Sequence, residues 1–341
     1  MQAVMTAVGL ALPGAGAPAE LLLPAPPEAP PVDPAALIGK KGLRYQDRAT
    51  QLALCAADDA LRHAGLLTGP AEAPPRGTVD GAPRRNVLTV PAESVAVVAS
   101  SNLGNLDTVQ EVVQVVARTG SSRLTSPIVT PRLSSNVVAS ETAIRFTCRG
   151  PNLMLCNGPA SGLDAVFWAM TLLAAGRAEH VLVVGVEPAT TAAGELLGED
   201  RVIDAAVALV LERPERALAR GATVLARLGR YLRSGDPRSC VAALSGRSPA
   251  AGAGPVAPER VTVAAWTGPE GHHAADGLLP GVLRYAPAEG RGTASGALGV
   301  LQCATAAGHF GAGGQGPFLA VAGSAADDAT AGLLLHRPDG R

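Results

Sequence analysis

Aromatic residues and an excess of charge are both scarce in this chain. Only 3% of its 341 residues are Phe, Trp or Tyr, and 28 basic residues nearly balance 29 acidic ones. Because there is neither a positive excess nor a long basic run, the composition argues against binding to nucleic acid or to an anionic membrane surface. An uninterrupted apolar run of about 20 residues is also missing, so we predict no membrane span.

Cysteine is sparse as well, and no two cysteines have the spacing of a metal site or a redox pair. The thiols are odd in number and form no C-x-x-C pair of the kind that binds zinc or serves in redox chemistry. They are Cys55, Cys148, Cys156, Cys240 and Cys303. The apolar opening Met1–Pro13 lacks a basic segment, so we interpret it as a core strand rather than a signal peptide. We therefore predict reduced thiols, no metal centre and a cytoplasmic protein.

Apolar sequence is plentiful, at 47% of residues, and it alternates between two patterns. Continuous apolar runs such as "SVAVVA" (Ser94–Ala99) and "HVLVVGVE" (His180–Glu187) are typical of strands buried on both faces. The segment "SGLDAVFWAMTLLAAG", before the second run, has apolar residues at helical spacing. With the strand "PNLMLC" before that helix, the pattern predicts a βαβ unit, and a right-handed crossover makes its two strands parallel.

The same kinds of segment restart near Pro214, which suggests two related halves. We predict one half over residues 1–213 and a shorter one over 214–341. Residues 69–93 are rich in Pro, Gly and Arg without periodicity, and we predict that they form a flexible surface loop. Near the C-terminus, "SAADDAT" separates two apolar runs, as the turn of a β-hairpin does.

Four segments match one known protein family in their order along the chain. They are "KKGLRYQDRATQLALCAADDAL", "SSNLGNLDTVQ", "SSNVVASETAIRFTCRGPNLMLCNGPASGLDAVFWAM" and "HVLVVGVEPAT". Together, chiefly over Lys40–Glu187, they resemble the β-ketoacyl synthase family. The resemblance implies an α/β thiolase-like fold of five layers, αβαβα, built from two related halves, the C-terminal half being short here. It implies no cofactor.

The resemblance also implies partners. Members of the family dimerise through the strand that leads into the nucleophile, and that strand corresponds to Leu153–Cys156 here. The implied dimer consists either of two copies of this chain or of this chain and an active ketosynthase. Contact with an acyl carrier protein is implied as well.

Condensing members of the family carry a cysteine nucleophile at a helix N-terminus, where the helix dipole favours the thiolate. Alignment on Gly150-Pro151 and on Ser161-Gly162-Leu163, without a gap, puts that position on Pro159. Proline has no thiol, and it lacks the backbone N–H that the family uses as an oxyanion donor. Its fixed φ nevertheless suits the first turn of a helix. The resemblance therefore implies a homologue that does not condense on its own.

The two histidines of the family are also absent at the aligned positions. The second falls on Thr293, in "GTASGALGV", and threonine cannot replace an imidazole as an acid near neutrality. The first should follow the strand Val261–Trp266 and is lost or displaced at about Trp266. The nearest imidazoles, His272 and His273, lie in a Gly-rich stretch, and we interpret them as exposed loop residues.

Two other side chains are fallback candidates for a nucleophile. Cys156 is predicted to lie inside an apolar strand, where a thiol is usually inert packing. Ser161 is predicted to begin a helix, where a small hydroxyl residue usually serves close packing and capping. We therefore expect no catalytic residue.

Three functions follow from this pattern as hypotheses. The leading one is a ketosynthase-like protein of polyketide or fatty-acid-type biosynthesis that resembles a chain length factor and assists an active ketosynthase. The second is a divergent acyltransferase that uses a thioester of acyl carrier protein or CoA without the usual cysteine. The third is a homodimeric acyl-binding protein. The sequence leaves the acyl substrate and the pathway open.

Overall fold

The computed structural model of the chain describes residues 3–69, 87–198, 201–246, 261–271 and 273–338. The strands are β1 (Ala3–Ala11), β2 (Leu67–Thr68), β3 (Val87–Leu88), β4 (Val95–Ser100), β5 (Asn152–Leu155), β6 (His180–Glu187), β7 (Ala205–Glu212), β8 (Ala226–Ser234), β9 (Ala265–Thr267), β10 (Leu283–Tyr285), β11 (Phe318–Ser324) and β12 (Ala329–His336). The helices are α1 (Pro34–Ile38), α2 (Arg48–His63), α3 (Leu106–Thr119), α4 (Val137–Phe146), α5 (Ser161–Ala174), α6 (Thr191–Leu197), α7 (Pro214–Ala219), α8 (Pro237–Leu244) and α9 (Leu298–Gly311). None of the described helices is long and apolar enough to cross a membrane.

Within the described part of the chain, ten strands form one mixed sheet in the order β10-β9-β11-β12-β8-β1-β7-β6-β4-β5. The sheet consists of two five-stranded halves with the same connectivity. In each half the second, third and fourth strands along the chain are parallel, and the fifth runs antiparallel between the fourth and the first. The halves meet where β1 pairs with β8, with Ala3 opposite Leu228. This repeat confirms the prediction of two related halves.

Helices cover both halves of the sheet and also lie between them. Helix α2 packs on the outer face of the N-terminal half, in a core with residues of β4, β6 and β7. Helices α5 and α9 share a second core with strands of both halves. Helix α8 packs on the outer face of the C-terminal half, against β11 and β12. The resulting layers, αβαβα, confirm the predicted fold class.

The two central helices touch at a pair of glycines. A Cβ atom added to Gly162 would lie 2.7 Å from the backbone nitrogen of Gly299, and one added to Gly299 would lie 2.2 Å from that of Leu163. No larger residue fits at either position without moving a helix backbone. The contact places the N-termini of α5 and α9 side by side, and the candidate site lies at these two N-termini.

Several local predictions can be compared with the structure. The C-terminal hairpin is confirmed as β11 and β12. The predicted strand Val261–Trp266 is shorter and later, since only Ala265–Thr267 pairs with neighbours. Within the predicted loop 69–93, Val87–Leu88 pairs with Leu67–Thr68, and residues 70–86 lie outside the described residues. The division of the chain at 213/214 stays a prediction, although it falls between β7 and α7.

Candidate functional site

A tight turn connects β5 to α5, and Pro159 lies in its middle. The N–H of Ser161 donates to the carbonyl of Gly158 across the turn, at 3.0 Å. Gly158 has a φ of +83°, which favours glycine, whereas the following position suits a proline φ and needs no N–H donor. Pro159 is half-buried, two residues before the helix begins. The residue aligned with the family nucleophile is therefore a natural part of this turn.

The hydroxyl of Ser161 is used to hold the same turn together. Ser161 is fully buried, and its Oγ accepts from the N–H of Asn157 at 2.8 Å. The hydroxyl lies 2.6 Å from the carbonyl oxygen of Gly158 and 3.1 Å from Oδ1 of Asn102, both of which can accept its proton. Oδ1 of Asn102 also accepts from the N–H of Gly158, at 3.2 Å. These bonds favour the structural interpretation of Ser161 over a nucleophilic one.

Cys156 lies elsewhere than predicted. Strand β5 ends at Leu155, so the thiol stands just beyond the strand, and its side chain is exposed rather than packed inside the sheet. Partial burial raises the pKa of the Cys156 thiol above its ordinary value, and the charge of Glu187 adds to the effect, while a hydrogen bond with Ser135 opposes it. A raised pKa reduces the thiolate fraction at neutral pH. Partial burial and the charge of Glu187 therefore keep the exposed thiol mostly protonated near neutrality, and its lack of a catalytic role stays a prediction.

Thr293 lies beside the N-terminus of α9, held by a short bridge to residues 201–203. Its N–H donates to the carbonyl of Arg201, and its carbonyl accepts from the N–H of Ile203, both at 3.0 Å. Two residues later, Oγ of Ser295 accepts from Nδ2 of Asn102 at 2.9 Å. Asn102 therefore connects the Thr293–Ser295 segment to the turn that contains Pro159, and the structure brings these two predicted positions together.

Trp266 does not belong to this site. The residue lies inside β9, is 2% exposed, and packs in the core beneath α8. The side chain that follows the strand and reaches the site is Glu270, whose carboxylate accepts from the N–H groups of Ala294 at 2.6 Å and Ser295 at 3.0 Å. The strand β9 ends at Thr267, one residue beyond Trp266, and the position of the first family histidine stays a prediction. An acidic residue soon after a strand was the available signal for Glu270.

Of the two candidate histidines, the structure describes only His273, and it does not bond to the turn. His273 is an exposed loop residue, and its Nδ1 lies 2.6 Å from a carboxylate oxygen of Asp276. Its φ of +65° places it in the left-handed region, as is common in turns. His272 lies outside the described residues. Among the described side chains that bond to the turn, none is an imidazole.

Glu187, at the end of β6, binds the segment of Asn102 and the segment before α9. Its carboxylate accepts from the N–H groups of Asn102, Leu103 and Gly296, at 2.7, 3.0 and 2.9 Å, and from Oγ of Ser101 at 3.0 Å. Burial raises the pKa of Glu187 to about 7, although these hydrogen bonds act in the opposite direction. Only the final letter of "HVLVVGVE" marked this residue in the sequence.

Side chains of the protein itself therefore bind the backbone N–H donors of this site. Asn102, Glu187 and Glu270 each bind backbone N–H groups near the starts of the two central helices. Such bonds hold the turns in place and leave fewer donors for a substrate oxygen. Among the described residues, no group of three or more His, Cys, Asp or Glu side chains is placed to hold a metal ion.

The structure also contains a cavity of about 630 Å³, but Pro159 does not line it. Its walls come from the Pro-rich segment after β1, from residues 201–204 and from Gly290 and Arg291. Val202 lines the cavity and forms a bridge with Thr293.

Comparison with known proteins agrees with this architecture. The family model described as "Beta-ketoacyl synthase, N-terminal domain" matches residues 32–201. A 3-oxoacyl-[acyl-carrier-protein] synthase 2 of Vibrio harveyi is 27% identical over 224 residues, which cover 58% of this chain and 49% of that protein. The chain thus spans about half the length of the curated relatives it matches.

Two solved structures share the fold over nearly the whole chain. The ishigamide ketosynthase/chain length factor superimposes with a TM-score of 0.74 and 21% identity, covering 100% of both chains. The second is a type II polyketide synthase acyl carrier protein in complex with its ketosynthase, which is bound to a hexaketide. It superimposes with a TM-score of 0.75 and 14% identity, covering 99% of both chains. The fold is therefore thiolase-like, as in these ketosynthases. Within that class, the sequence of residues 32–201 matches the N-terminal domain of the β-ketoacyl synthase family.

Proposed function

We propose that this chain is a non-condensing, chain-length-factor-like subunit that pairs with an active ketosynthase of polyketide or fatty-acid-type biosynthesis in the cytoplasm. The observation that carries the proposal is Pro159 at the aligned nucleophile position, in a turn whose donors serve the protein itself. The partner supplies the thiol and the imidazoles, and this chain shapes the space that the growing acyl chain occupies. Its fold similarity to a ketosynthase/chain length factor supports this role.

An open sheet edge supports the proposed pairing. Strand β5 is the last strand of the sheet and pairs only with β4 within the described residues. The carbonyls of Pro151 and Leu155 accept from β4, so alternation directs the amide of Met154 to the open side. An unpaired edge of this kind can pair with a strand of another chain.

An apolar surface near that edge supports it further. Helix α3 has a single buried residue, Thr108, although its apolar residues recur at helical spacing. Large apolar side chains with at least a third of their surface exposed occur on α3, the segment after it and α4: Val113, Val116, Leu124, Ile128 and Ile144. Such exposure on one region of a protein commonly marks an interface.

Co-expression with ketosynthases encoded beside its gene tests the pairing. We expect a one-to-one complex by size-exclusion chromatography with light scattering, and products of altered length when this chain is omitted. Met154→Pro should abolish the complex, because proline removes an outward N–H without breaking a bond to β4. Met154→Leu is the matched control and should keep the complex.

Two results would contradict this proposal. One is a strictly monomeric or purely homodimeric chain that leaves product length unchanged with every candidate partner. The other is a Met154→Pro variant that retains the complex while circular dichroism shows a native fold.

Incubation with acyl-carrier-protein thioesters tests the absence of a nucleophile. We expect intact-mass spectrometry to find no acyl adduct on the unmodified chain. An adduct on Ser161 or Cys156 would favour the acyltransferase hypothesis instead. The Pro159→Cys variant is the positive control, because a thiol just before α5 benefits from the helix dipole and should gain an adduct. A Pro159→Cys variant that folds but stays unmodified would argue against the alignment.

A further inference from the structure

The cavity beside the Pro-rich segment has a charge pattern suited to an anion. Three arginines and one aspartate line it: Arg48, Arg201, Arg291 and Asp204. Arg48 and Asp204 bind each other, with Nε of Arg48 at 3.1 Å from both carboxylate oxygens. Among the described residues that line the cavity, no acidic side chain pairs with Arg201 or Arg291.

Arg291 is the less ordinary of the two. It is only 7% exposed, and among the described residues its Nε and Nη2 have no hydrogen-bond partner. Its Nη1 donates to the carbonyl of Pro287 at 3.0 Å, which anchors one end of the guanidinium. Burial without a counter-charge lowers the pKa of Arg291 from its ordinary value. A buried cation without an anion is costly, and an anionic ligand would relieve that cost.

The free edge of Arg291 has the geometry that holds carboxylates elsewhere in this chain. Arg48 binds Asp204 through Nε and Nη2, and Arg220 binds Glu212 through the same two atoms. In Arg291 this pair of donors is the unpaired one. A planar anion matches that fork with two parallel hydrogen bonds. Both nitrogens are buried, so the fork can reach an anion in the cavity that Arg291 lines only after rotation about its side-chain bonds.

Most of the remaining wall residues are apolar. Leu12, Pro13, Pro26, Ala29 and Val32 contribute to the lining, and the volume of about 630 Å³ lies in the range of small-molecule sites. We propose that this cavity binds a small molecule with an apolar body and a carboxylate or phosphate head, the head being held by Arg291 with Arg201 at the rim. The proposal is independent of the partner role, since it concerns this chain alone.

Isothermal titration calorimetry of the full chain tests the proposal with octanoate, octyl phosphate and uncharged octanol. We expect at least one of the two anions to bind and octanol to bind at least tenfold more weakly. The tighter of the two anions identifies the head group. Arg291→Gln should weaken anion binding roughly tenfold to a hundredfold, as loss of charged hydrogen bonds does. Arg177→Gln, an exposed arginine outside the cavity, is the matched control and should change nothing.

A second variant keeps the test decisive if Arg291→Gln fails to fold. Ala29→Phe fills the cavity and leaves every charge in place, so it should abolish binding. The proposal is overturned if neither anion binds at millimolar concentration, or if octanol binds as tightly as the anions. It is also overturned if Ala29→Phe, or a folded Arg291→Gln, binds octanoate and octyl phosphate like the unmodified chain.

Discussion

At the scale of single residues, the polar groups around Pro159 act on the protein rather than on a substrate. Asn102 connects its own segment to two others: to the turn before α5, through Gly158 and Ser161, and to Ser295 before α9. Pro159 fits this arrangement because its turn needs no N–H at that position. The same residue types in a condensing relative would have to leave donors free for a thioester oxygen.

Thiol labelling is a direct check on the environment of the cysteines. We expect iodoacetamide to modify Cys156 alone in the native chain, because the other four thiols are buried and burial raises the pKa of Cys55, Cys148 and Cys303 to about 12. Peptide mass spectrometry identifies the labelled residue. Binding of a partner along β5 should protect Cys156, which directly follows that strand. Rapid labelling of a buried cysteine would contradict the packing described above.

The titration of Glu187 predicts how stability depends on pH. Its pKa is raised from 4.5 to about 7, so the folded state holds the proton more tightly than the unfolded state. Glu187 then contributes up to about 3 kcal/mol to the free energy of unfolding. This contribution is fully present below pH 4.5 and is lost as pH rises towards 7. In Glu187→Gln this loss should be missing from urea unfolding curves measured between pH 4.5 and 7.5. The control Glu28→Gln, on an exposed loop, should show the same pH dependence as the unmodified chain. The prediction is contradicted if the stability of Glu187→Gln falls with pH as much as that of the unmodified chain.

At the scale of elements, the contact between α5 and α9 depends on two missing side chains. Gly162→Ala should lower the free energy of unfolding by about 1–3 kcal/mol or more, because the new Cβ would lie 2.7 Å from the backbone of Gly299. Gly311→Ala, in α9 itself, is the matched control, since nothing lies within 4 Å of its added Cβ. Chemical denaturation compares the two variants. Equal stabilities would mean that the helices do not cross at Gly162.

Elements with a regular apolar pattern could be predicted from the sequence, and those without one could not. Strands β4 and β6 are buried on both faces, and their continuous apolar runs predicted them from the sequence. The end of β9 was misplaced by one residue and its start by four, because the Gly- and Pro-rich sequence around it has no periodicity. Glu270 was missed although it closely follows a strand, because its partners, Ala294 and Ser295, lie more than twenty residues further along the chain. Hydrogen bonds over such separations leave no local signal.

At the scale of the whole molecule, the two halves share a sheet and a central helical layer. Since α5 and α9 pack in one core with strands of both halves, we expect the halves to unfold together. The chain has two tryptophans, Trp168 in the N-terminal half and Trp266 in the C-terminal half. The variants Trp168→Phe and Trp266→Phe each leave one fluorescent reporter, and their urea midpoints should coincide with that measured by circular dichroism. Separate midpoints for the two reporters would contradict a shared core.

The pairing of β1 with both β7 and β8 has a consequence for biosynthesis on the ribosome. Val4 pairs with Glu212, and Ala3 with Leu228, so both neighbours of β1 are completed only after over two hundred further residues have been made. At translation rates of roughly 5–20 residues per second, this delay lasts on the order of ten to forty seconds. During that time an apolar strand emerges from the exit tunnel without a pairing partner, and it is the natural client segment for a chaperone that binds nascent chains.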